Sequence, residues 1–208
     1  MFYYFARFVG RCLSLLFFGY RSYGARSVPA TGPVILASTH QSFLDPIFVE
    51  IPLSRQAWIM ARRSLFGNPA FSLLIRSLHA FPIERGTADL SALHQSVELL
   101  REGDMLLMFP EATRTRTGEI GNIQRGIGII AHRADAPVIP VTIDGAFECW
   151  PPGRKLFRPG PVRVMFGKPM RVEATDRATL ERFVRELRER LVAQQEELRR
   201  LRRCSSFM

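Results

Sequence analysis

Lysine, cysteine and long apolar runs are all scarce in this sequence of 208 residues. Lys155 and Lys168 are the only lysines, so almost all of the 29 basic residues are arginine, and the formal net charge at pH 7 is +10. A basic excess of this size indicates an anionic partner: a nucleic acid, an anionic bilayer or a phosphorylated substrate. Arginine-rich composition can also reflect the base composition of a genome, so charge alone leaves these partners open.

The cysteines, Cys12, Cys149 and Cys204, are odd in number and have no CxxC spacing. This pattern argues against a disulfide framework or a zinc site and favours a reducing cytosol. There is no internal repeat and no Gly/Ser-rich or Pro-rich linker. We therefore expect one domain at residues 25–175, preceded by an aromatic and basic segment at 1–24 and followed by a basic amphipathic helix at 176–208 that packs on it.

The N-terminal segment has no apolar run long enough to cross a bilayer. Its longest uncharged stretch after Arg11 covers residues 12–20, whereas a spanning helix needs about 20 apolar residues. A central arginine costs a further 2.5–3.5 kcal/mol or so, which makes Arg7 and Arg11 unfavourable inside a span. Aromatic residues alternating with arginine are typical of a helix lying in the headgroup layer. Two other interpretations stay open from this segment alone: a signal peptide and a first helix packed on the domain's own core.

Apolar runs alternate with helical patterns along the rest of the chain. We predict strands at residues 34–37, 57–61, 79–83, 105–109, 137–143 and 162–167, and helices at 69–78, 88–101, 126–134 and from 176 onward. Another helix is predicted to begin with Asp45 as its N-cap and Pro46 at its first position. Two helices carry apolar stripes, formed by Leu90, Leu93, Val97 and Leu100 in one and by Leu180, Phe183, Val184, Leu187 and Leu191 in the other. The alternation predicts an α/β fold with a single mixed, mostly parallel sheet and helices on both faces.

The segment ASTHQSFLDP directly follows the first predicted strand, where open α/β sheets bind their ligands. His40 can accept a proton near neutral pH, and Asp45 can orient its ring and stabilise the imidazolium. Residues five apart do not face each other on an unbroken helix. The pair therefore requires irregular backbone between its members, and we expect Pro46 to supply it by keeping Asp45 out of the helical region.

Three further segments place polar residues near strand ends. MFPEATRTRTGEI brings Glu111, Thr113 and Arg114 to the same edge of the sheet, and Arg116 and Arg125 would complete a set suited to an anionic, hydroxyl-bearing ligand. A charged surface loop is the plainer interpretation of that segment. HAFPIERG places Arg85 after another apolar run, and APVIPVTIDG forms a fourth segment.

The four segments, in this order, resemble the motifs of the glycerolipid acyltransferase family, in particular the 1-acylglycerol-3-phosphate acyltransferases. The family's first motif is Asn-His-x-x-x-x-Asp and its second carries an arginine after a strand. Its third is Phe-Pro-Glu-Gly-Thr-Arg, and its fourth is a strand containing Val-Pro. The resemblance covers residues 33–145, over half of the chain. One such motif is weak evidence, but four in order are strongly specific.

The resemblance implies a role for each matching residue. His40 would be the general base that deprotonates an acceptor hydroxyl, and Asp45 would orient it. The hydroxyl would attack the thioester of acyl-CoA or acyl-carrier protein without a covalent acyl-enzyme, and no metal or further cofactor is implied. Pro140 would shape the acyl-donor side. The glycerol phosphate of the acceptor would be bound by Arg85, Glu111, Thr113 and Arg114.

Three residues depart from the family's motifs. Thr39 stands where the family usually has asparagine, and both residues can donate a hydrogen bond. Ala112 replaces the glycine of the third motif; a Cβ costs about 1–2 kcal/mol in left-handed backbone, so alanine predicts ordinary backbone there. Gln124 stands where many members have lysine. These departures leave the chemistry intact but bear on which headgroup the acceptor carries.

The leading hypothesis is acylation of 1-acylglycerol-3-phosphate to phosphatidate at the cytoplasmic face of the cell membrane by a peripheral or monotopic enzyme. The same chemistry on another lysophospholipid or hydroxylated lipid is the nearest alternative. A basic nucleic-acid-binding module is an alternative of another class, although the sequence has no recognisable nucleic-acid signature. A membrane-bound pseudoenzyme is disfavoured because His40 and Asp45 are both present. The acyl donor and the oligomeric state stay open.

Overall fold

The computed structural model of the chain describes residues 2–84 and 89–205. Its strands are β1 (Arg21–Tyr23), β2 (Val34–Ser38), β3 (Ala57–Arg62), β4 (Ala80–Ile83), β5 (Met105–Met108), β6 (Val138–Asp144) and β7 (Arg163–Phe166). Its α-helices are α1 (Phe2–Phe18), α2 (Asp45–Glu50), α3 (Pro69–Ser77), α4 (Leu90–Arg101), α5 (Gly126–Arg133), α6 (Ala146–Cys149) and α7 (Arg177–Ser205). Every predicted strand and helix is present, and β1 and α6 are additions that the sequence patterns did not indicate.

The strands form one sheet in the order β1-β7-β6-β2-β5-β3-β4. β2 lies between β5 and β6 and runs parallel to both. β7 is antiparallel to β6, and the short edge strand β1 is parallel to β7. The predicted single mixed, mostly parallel sheet is therefore confirmed. Since β1 lies within residues 1–24, that segment contributes to the sheet, and the division of the chain at residue 24 stays a prediction.

Side chains alternate between two apolar layers because successive residues of a strand point to opposite faces. In β2, Val34 and Leu36 face one layer, whereas Ile35 and Ala37 face the other. The first layer is covered by α1, α2 and α6, and the second by α4, α5 and α7. Helices thus cover both faces of the sheet, which is why its central strands are mostly apolar.

Helix α7 packs on the domain through the predicted apolar stripe. Leu180, Phe183, Leu187 and Leu191 are buried, and Val184 is partly buried against the same layer. Asp176 caps the helix by accepting a hydrogen bond from the backbone N–H of Thr179 at 3.0 Å. The prediction of a packing helix here is confirmed.

The apolar stripe of α4 is one residue shorter than predicted. Val97 and Leu100 are buried and Leu93 is partly buried, but Leu90 at the first position of the helix is 65% exposed. The helix begins there, with Asp89 as its N-cap. Leu90 therefore lies at the end of α4, beyond the layer that buries the rest of the stripe.

Candidate active site

Two loops meet where β2 and β5 end. Residues 39–44 connect β2 to α2 without regular structure, and residues 109–125 lead from β5 to α5. Because β2 and β5 are parallel neighbours, these loops leave the sheet side by side. β2 is also the strand from which the sheet extends in both directions, the position at which open α/β sheets bind ligands.

His40 and Asp45 are in direct contact within the first loop. His40 Nδ1 lies 2.8 Å from Asp45 Oδ2, and the aspartate is fully buried. The same oxygen accepts hydrogen bonds from the backbone N–H groups of Gln41 at 2.6 Å and Ser42 at 2.8 Å. An oxygen that already accepts two N–H groups is an ionised acceptor, so we assign the proton to Nδ1 of His40. The lone pair of the neutral ring then belongs to Nε2, the nitrogen that can act as a base.

The backbone around Asp45 differs from the prediction in two respects. Leu44, rather than Asp45, occupies the N-cap position, and Asp45 is the first helical residue with Pro46 after it. The expectation that Pro46 keeps Asp45 out of the helical region is therefore wrong. The irregular backbone that the pair requires is present, but it lies before Asp45, at residues 39–44. The carboxylate turns back over this loop and accepts its N–H groups instead of capping the helix.

The imidazole of His40 is enclosed on one face by Phe109. The ring centroids are 4.1 Å apart with an interplanar angle of 24°, and His40 is only 8% exposed. Thr39 holds the preceding backbone, since its hydroxyl oxygen accepts the N–H of Ile143 in β6 at 3.0 Å. Thr39 thus acts as an acceptor here, not as the donor expected from the family's asparagine.

Glu111 is turned into the protein. Its Oε1 accepts the backbone N–H of His40 at 2.9 Å, and its Oε2 accepts that of Gly121 at 2.7 Å. The side chain is buried, and this burial raises the pKa of Glu111, an effect partly offset by the two N–H donors. Its predicted substrate-binding role stays a prediction, but its carboxylate joins two backbone segments.

Arg114 and Thr113 lie at the open edge of the site. Thr113 is exposed and Arg114 is half-buried. The guanidinium of Arg114 lies over the ring of Phe43, 5.1 Å from its centroid. Within residues 2–84 and 89–205, no carboxylate forms an ion pair with Arg114. A guanidinium held in this way can bind an anion.

The other predicted binding residues do not all join this cluster. Arg125 pairs with Glu181 of α7 at 3.3 Å, and its expected grouping with Arg114 stays a prediction. Arg85 lies outside the described residues. Pro140 is buried in β6 opposite Ala37 of β2. On the other side of β6, Val141 pairs with Phe166 and Val138 pairs with Met170, so Pro140 lies between two paired positions. Its proposed place on the acyl-donor side stays a prediction.

Ala112 has left-handed backbone, with a φ of +60°. The expectation of ordinary backbone at this position is therefore wrong. The N–H of Ala112 bonds to the carbonyl of Phe109 at 3.0 Å in a tight turn directly after β5. The glycine of the family's third motif suits such a turn because it has no Cβ, whereas alanine is strained there.

Several residues that build the site escaped the sequence analysis. Phe109 stacks on His40, and the side-chain oxygen of Gln41 accepts the N–H of Phe147 at 3.2 Å, holding the first loop on α6. The backbone N–H of Thr115 donates to the carbonyl of His40 at 2.8 Å. Phe109 is the first residue of the third motif and Gln41 is an unspecified position within the first, which is the one signal the sequence offered. In the described part of the chain, no group of three or more His, Cys, Asp or Glu side chains is arranged to hold a metal ion.

Comparison with known proteins identifies the family of this chain. The sequence model of a family described as "Acyltransferase" matches residues 20–144, more than half of the chain. The chain belongs to the acyltransferase family. It is accordingly an enzyme of the acyltransferase class, and the resemblance drawn from the four motifs is confirmed.

Individual members of the acyltransferase family support the assignment. The chain is 30% identical over 153 residues to the 1-acyl-sn-glycerol-3-phosphate acyltransferase of Bacillus subtilis, a match covering 73% of this chain and 74% of that protein. It is 27% identical to the chloroplastic LPAT1 enzyme of Arabidopsis thaliana; the match covers 74% of this chain but 44% of that longer protein. The crystal structure of the 1-acyl-sn-glycerophosphate acyltransferase PlsC from Thermotoga maritima superimposes with a TM-score of 0.78 at 26% identity, covering 95% of this chain and 79% of that one.

We expect His40→Ala to lower turnover by about 10²–10⁴-fold, because the base is removed. Asp45→Asn should cause a comparable loss, on the order of 10⁴-fold, since an amide no longer fixes the proton on Nδ1. Steady-state kinetics with a labelled acyl donor would measure both changes. The exposed His94 on α4 provides the matched control, and His94→Ala should leave turnover unchanged. Retained activity in His40→Ala would rule out His40 as the base.

We expect Ala112→Gly to raise the free energy of unfolding by about 1 kcal/mol, because it relieves left-handed strain at this turn. Thermal or urea unfolding would measure the change. Ala193→Gly, at an exposed position inside α7, removes the same methyl group from helical backbone. That control should lower stability by about 0.5–1 kcal/mol. Equal losses in the two variants would contradict the strain at Ala112.

Proposed function

We propose that this enzyme transfers a fatty acyl group from an acyl thioester to the free hydroxyl of 1-acylglycerol-3-phosphate, giving phosphatidate. The observation that carries the proposal is the buried 2.8 Å contact between His40 Nδ1 and Asp45 Oδ2, which leaves Nε2 as the base. The names of the Bacillus, Arabidopsis and Thermotoga proteins support the choice of acceptor.

The proposed reaction needs one base and no covalent acyl-enzyme. The acceptor hydroxyl gives its proton to Nε2 of His40 while its oxygen attacks the carbonyl carbon of the thioester. The C–S bond then breaks, sulfur keeps the electron pair, and the departing thiolate takes the proton from His40. The Asp45 carboxylate stabilises the imidazolium between these two transfers. Asp45 can do so without moving, because three hydrogen bonds already hold its Oδ2 in place.

Arg114 is the proposed ligand of the acceptor's phosphate. Its guanidinium is half-buried on the face of Phe43, and Phe43 lies in the loop that carries His40. Packing against an aromatic ring pre-orients a guanidinium for an anion and reduces the side-chain entropy lost on binding. Thr113 lies beside it with an exposed hydroxyl that can bind the glycerol. The phosphate would thus be held next to the loop whose histidine meets the hydroxyl.

A mostly apolar cavity lined in part by Phe109 is the proposed site of the acyl chain. It has a volume of about 520 Å³. Because the ring of Phe109 also stacks on His40, a chain in the cavity would contact the residue that packs against the imidazole. The remaining apolar wall comes from both sheet and helices and includes Met60, Ile83, Leu93, Met108, Ile127 and Ile130. Pro140 is not among the residues that line it.

Helix α1 is the proposed membrane-docking element. Its inner side is fixed to the domain: Tyr3 and Phe18 are buried, and the Tyr3 hydroxyl donates to Glu50 Oε2 at 3.1 Å. Its outer side exposes large apolar side chains, namely Phe5, Phe8, Leu13, Leu15 and Leu16. An exposed apolar face of this kind on a helix that also carries arginine fits the headgroup layer of an anionic membrane. No helix among residues 2–84 and 89–205 is both long and apolar enough to span a bilayer.

The direct test of the proposed function is conversion of 1-acylglycerol-3-phosphate to phosphatidate by the purified enzyme. Acyl-CoA and acyl-carrier protein would be supplied in parallel, because both present the same thioester to His40. Lysophospholipids with other headgroups and monoacylglycerol would be compared as acceptors. A preference for any of these over 1-acylglycerol-3-phosphate would contradict the proposed acceptor.

We expect Arg114→Ala to raise the KM for 1-acylglycerol-3-phosphate by about 10–100-fold, because a charge-assisted hydrogen bond to the phosphate is lost. Turnover of the phosphate-free monoacylglycerol should not change. Arg133→Ala is the matched control, since Arg133 is an exposed arginine at the C-terminal end of α5 and belongs to no predicted binding set. Equal losses of turnover on phosphate-bearing and phosphate-free acceptors would show that Arg114 does not bind the phosphate.

We expect the triple variant Phe5→Ser, Phe8→Ser, Leu16→Ser to weaken binding to anionic liposomes by at least about tenfold, since it removes apolar surface available for burial. These side chains are exposed, so the fold should persist, which circular dichroism would check. Co-sedimentation with vesicles of anionic phospholipid would measure binding. Leu73→Gln with Leu74→Gln on α3 is the control pair for exposed apolar residues elsewhere. Undiminished binding of the triple variant would exclude α1 as the docking element.

A further inference from the structure

His40 is fixed by its backbone as well as by its ring. Its N–H donates to Glu111 Oε1 at 2.9 Å, and its carbonyl accepts the N–H of Thr115 at 2.8 Å. Glu111 and Thr115 belong to one loop, which therefore holds both sides of a single residue in the neighbouring loop. A displacement of this loop would move the imidazole relative to both substrates.

Glu111 is in turn held by the far part of its own loop. Its Oε2 accepts the N–H of Gly121 at 2.7 Å. A Cβ at position 121 would lie 3.2 Å from that oxygen, so glycine permits the close approach. The direction of the carboxylate is thus set by two backbone N–H groups of the protein, one in each loop. This geometry indicates that Glu111 supports the two loops rather than binding the acceptor.

The part of the loop around Gly118 and Gly121 rests on α7. Gln195 donates from Nε2 to the carbonyl of Gly118 at 2.9 Å. Arg188 donates to the carbonyls of Ile120 at 3.1 Å and Gly121 at 3.3 Å. A continuous set of contacts therefore leads from α7 through this loop to Glu111 and on to His40.

Gln195 is an unusual residue for its position. It lies one helical turn beyond Leu191 and close to Leu198, both fully buried, and is itself only 2% exposed. A buried amide is unfavourable unless it is hydrogen-bonded, so a leucine would serve better if only packing mattered here. The side chain instead supplies the N–H that the Gly118 carbonyl accepts.

We propose that Glu111 is a positioning residue for His40, not a ligand of the acceptor, and that Gln195 of α7 keeps Glu111 in place through the loop at residues 118–121. The inference rests on the proposed role of His40 as general base. It assigns a part in catalysis to the C-terminal helix, which otherwise only covers the sheet.

Kinetics of Glu111→Gln and Gln195→Leu test this assignment. Glu111→Gln turns one oxygen into an NH₂ group that faces an N–H donor, so one of the two hydrogen bonds is lost. We expect kcat to fall about 10–100-fold in this variant and about tenfold in Gln195→Leu, while the KM for 1-acylglycerol-3-phosphate stays within about twofold. A raised KM with unchanged kcat in Glu111→Gln would instead identify Glu111 as a ligand and overturn the proposal.

Gln194→Leu is the matched control for Gln195→Leu. Gln194 is the adjacent glutamine of α7, and its Oε1 accepts from the Thr142 hydroxyl at 2.9 Å, away from the loop at 118–121. Its kcat should stay near that of the unmodified enzyme. The double variant of Glu111 and Gln195 should lose less than the product of the two single losses, because both residues act through one set of contacts. Multiplicative losses would show that the two residues act independently.

The NMR signals of the His40 ring separate this inference from the choice of acceptor. Glu111→Gln and Gln195→Leu should shift these signals in the enzyme without substrate, whereas Gln194→Leu should not. These shifts would appear even if the preferred acceptor were another lysolipid. Unchanged His40 signals in both Glu111→Gln and Gln195→Leu would overturn the positioning role.

Discussion

The buried carboxylate of Asp45 is the constraint on which the rest of the site depends. One oxygen, Oδ2, accepts the imidazole Nδ1 and two backbone N–H groups, so it fixes the loop and the tautomer of His40 together. The other oxygen, Oδ1, is buried and has no hydrogen-bond partner among the residues that the structure describes. A buried carboxylate in this state is costly unless its charge is well solvated by donors. The donors are concentrated on Oδ2, the oxygen that contacts the histidine.

The sheet itself places the two loops of the site next to each other. β2 and β5 are parallel neighbours in the middle of the sheet, so the loops after them begin next to each other and on fixed supports. Phe109 then stacks on His40, while Glu111 and Thr115 bind its backbone. Parallel sheets buried on both faces resist deformation because they are close-packed. The loops that carry His40 and Glu111 are thus anchored on a rigid support.

Several arginines of α7 are engaged within the protein. Arg177 pairs with Glu181 at 2.9 Å, Arg199 with Glu119 at 3.0 Å and Arg202 with Glu148 at 2.9 Å. Arg188 donates to backbone carbonyls of the loop at residues 118–121. These arginines serve the fold and the loop, so the basic helix gives no particular support to a nucleic-acid-binding function. Arg114 differs from these arginines because its guanidinium lies on the ring of Phe43 and, among the described residues, forms no ion pair with a carboxylate.

The sequence alone determined the order of strands and helices, the parallel sheet and the pairing of His40 with Asp45. Apolar periodicity reports burial directly, and the motif around His40 and Asp45 lies within a few residues of chain. It could not determine the left-handed backbone at Ala112, the ion pair between Arg125 and Glu181, or the direction of the Glu111 carboxylate. The last two depend on groups distant in the chain: Arg125 meets Glu181, and Glu111 joins His40 to Gly121. Only the folded chain brings those groups together, because hydrogen bonds and ion pairs act over a few ångströms in space and leave no periodic trace in sequence.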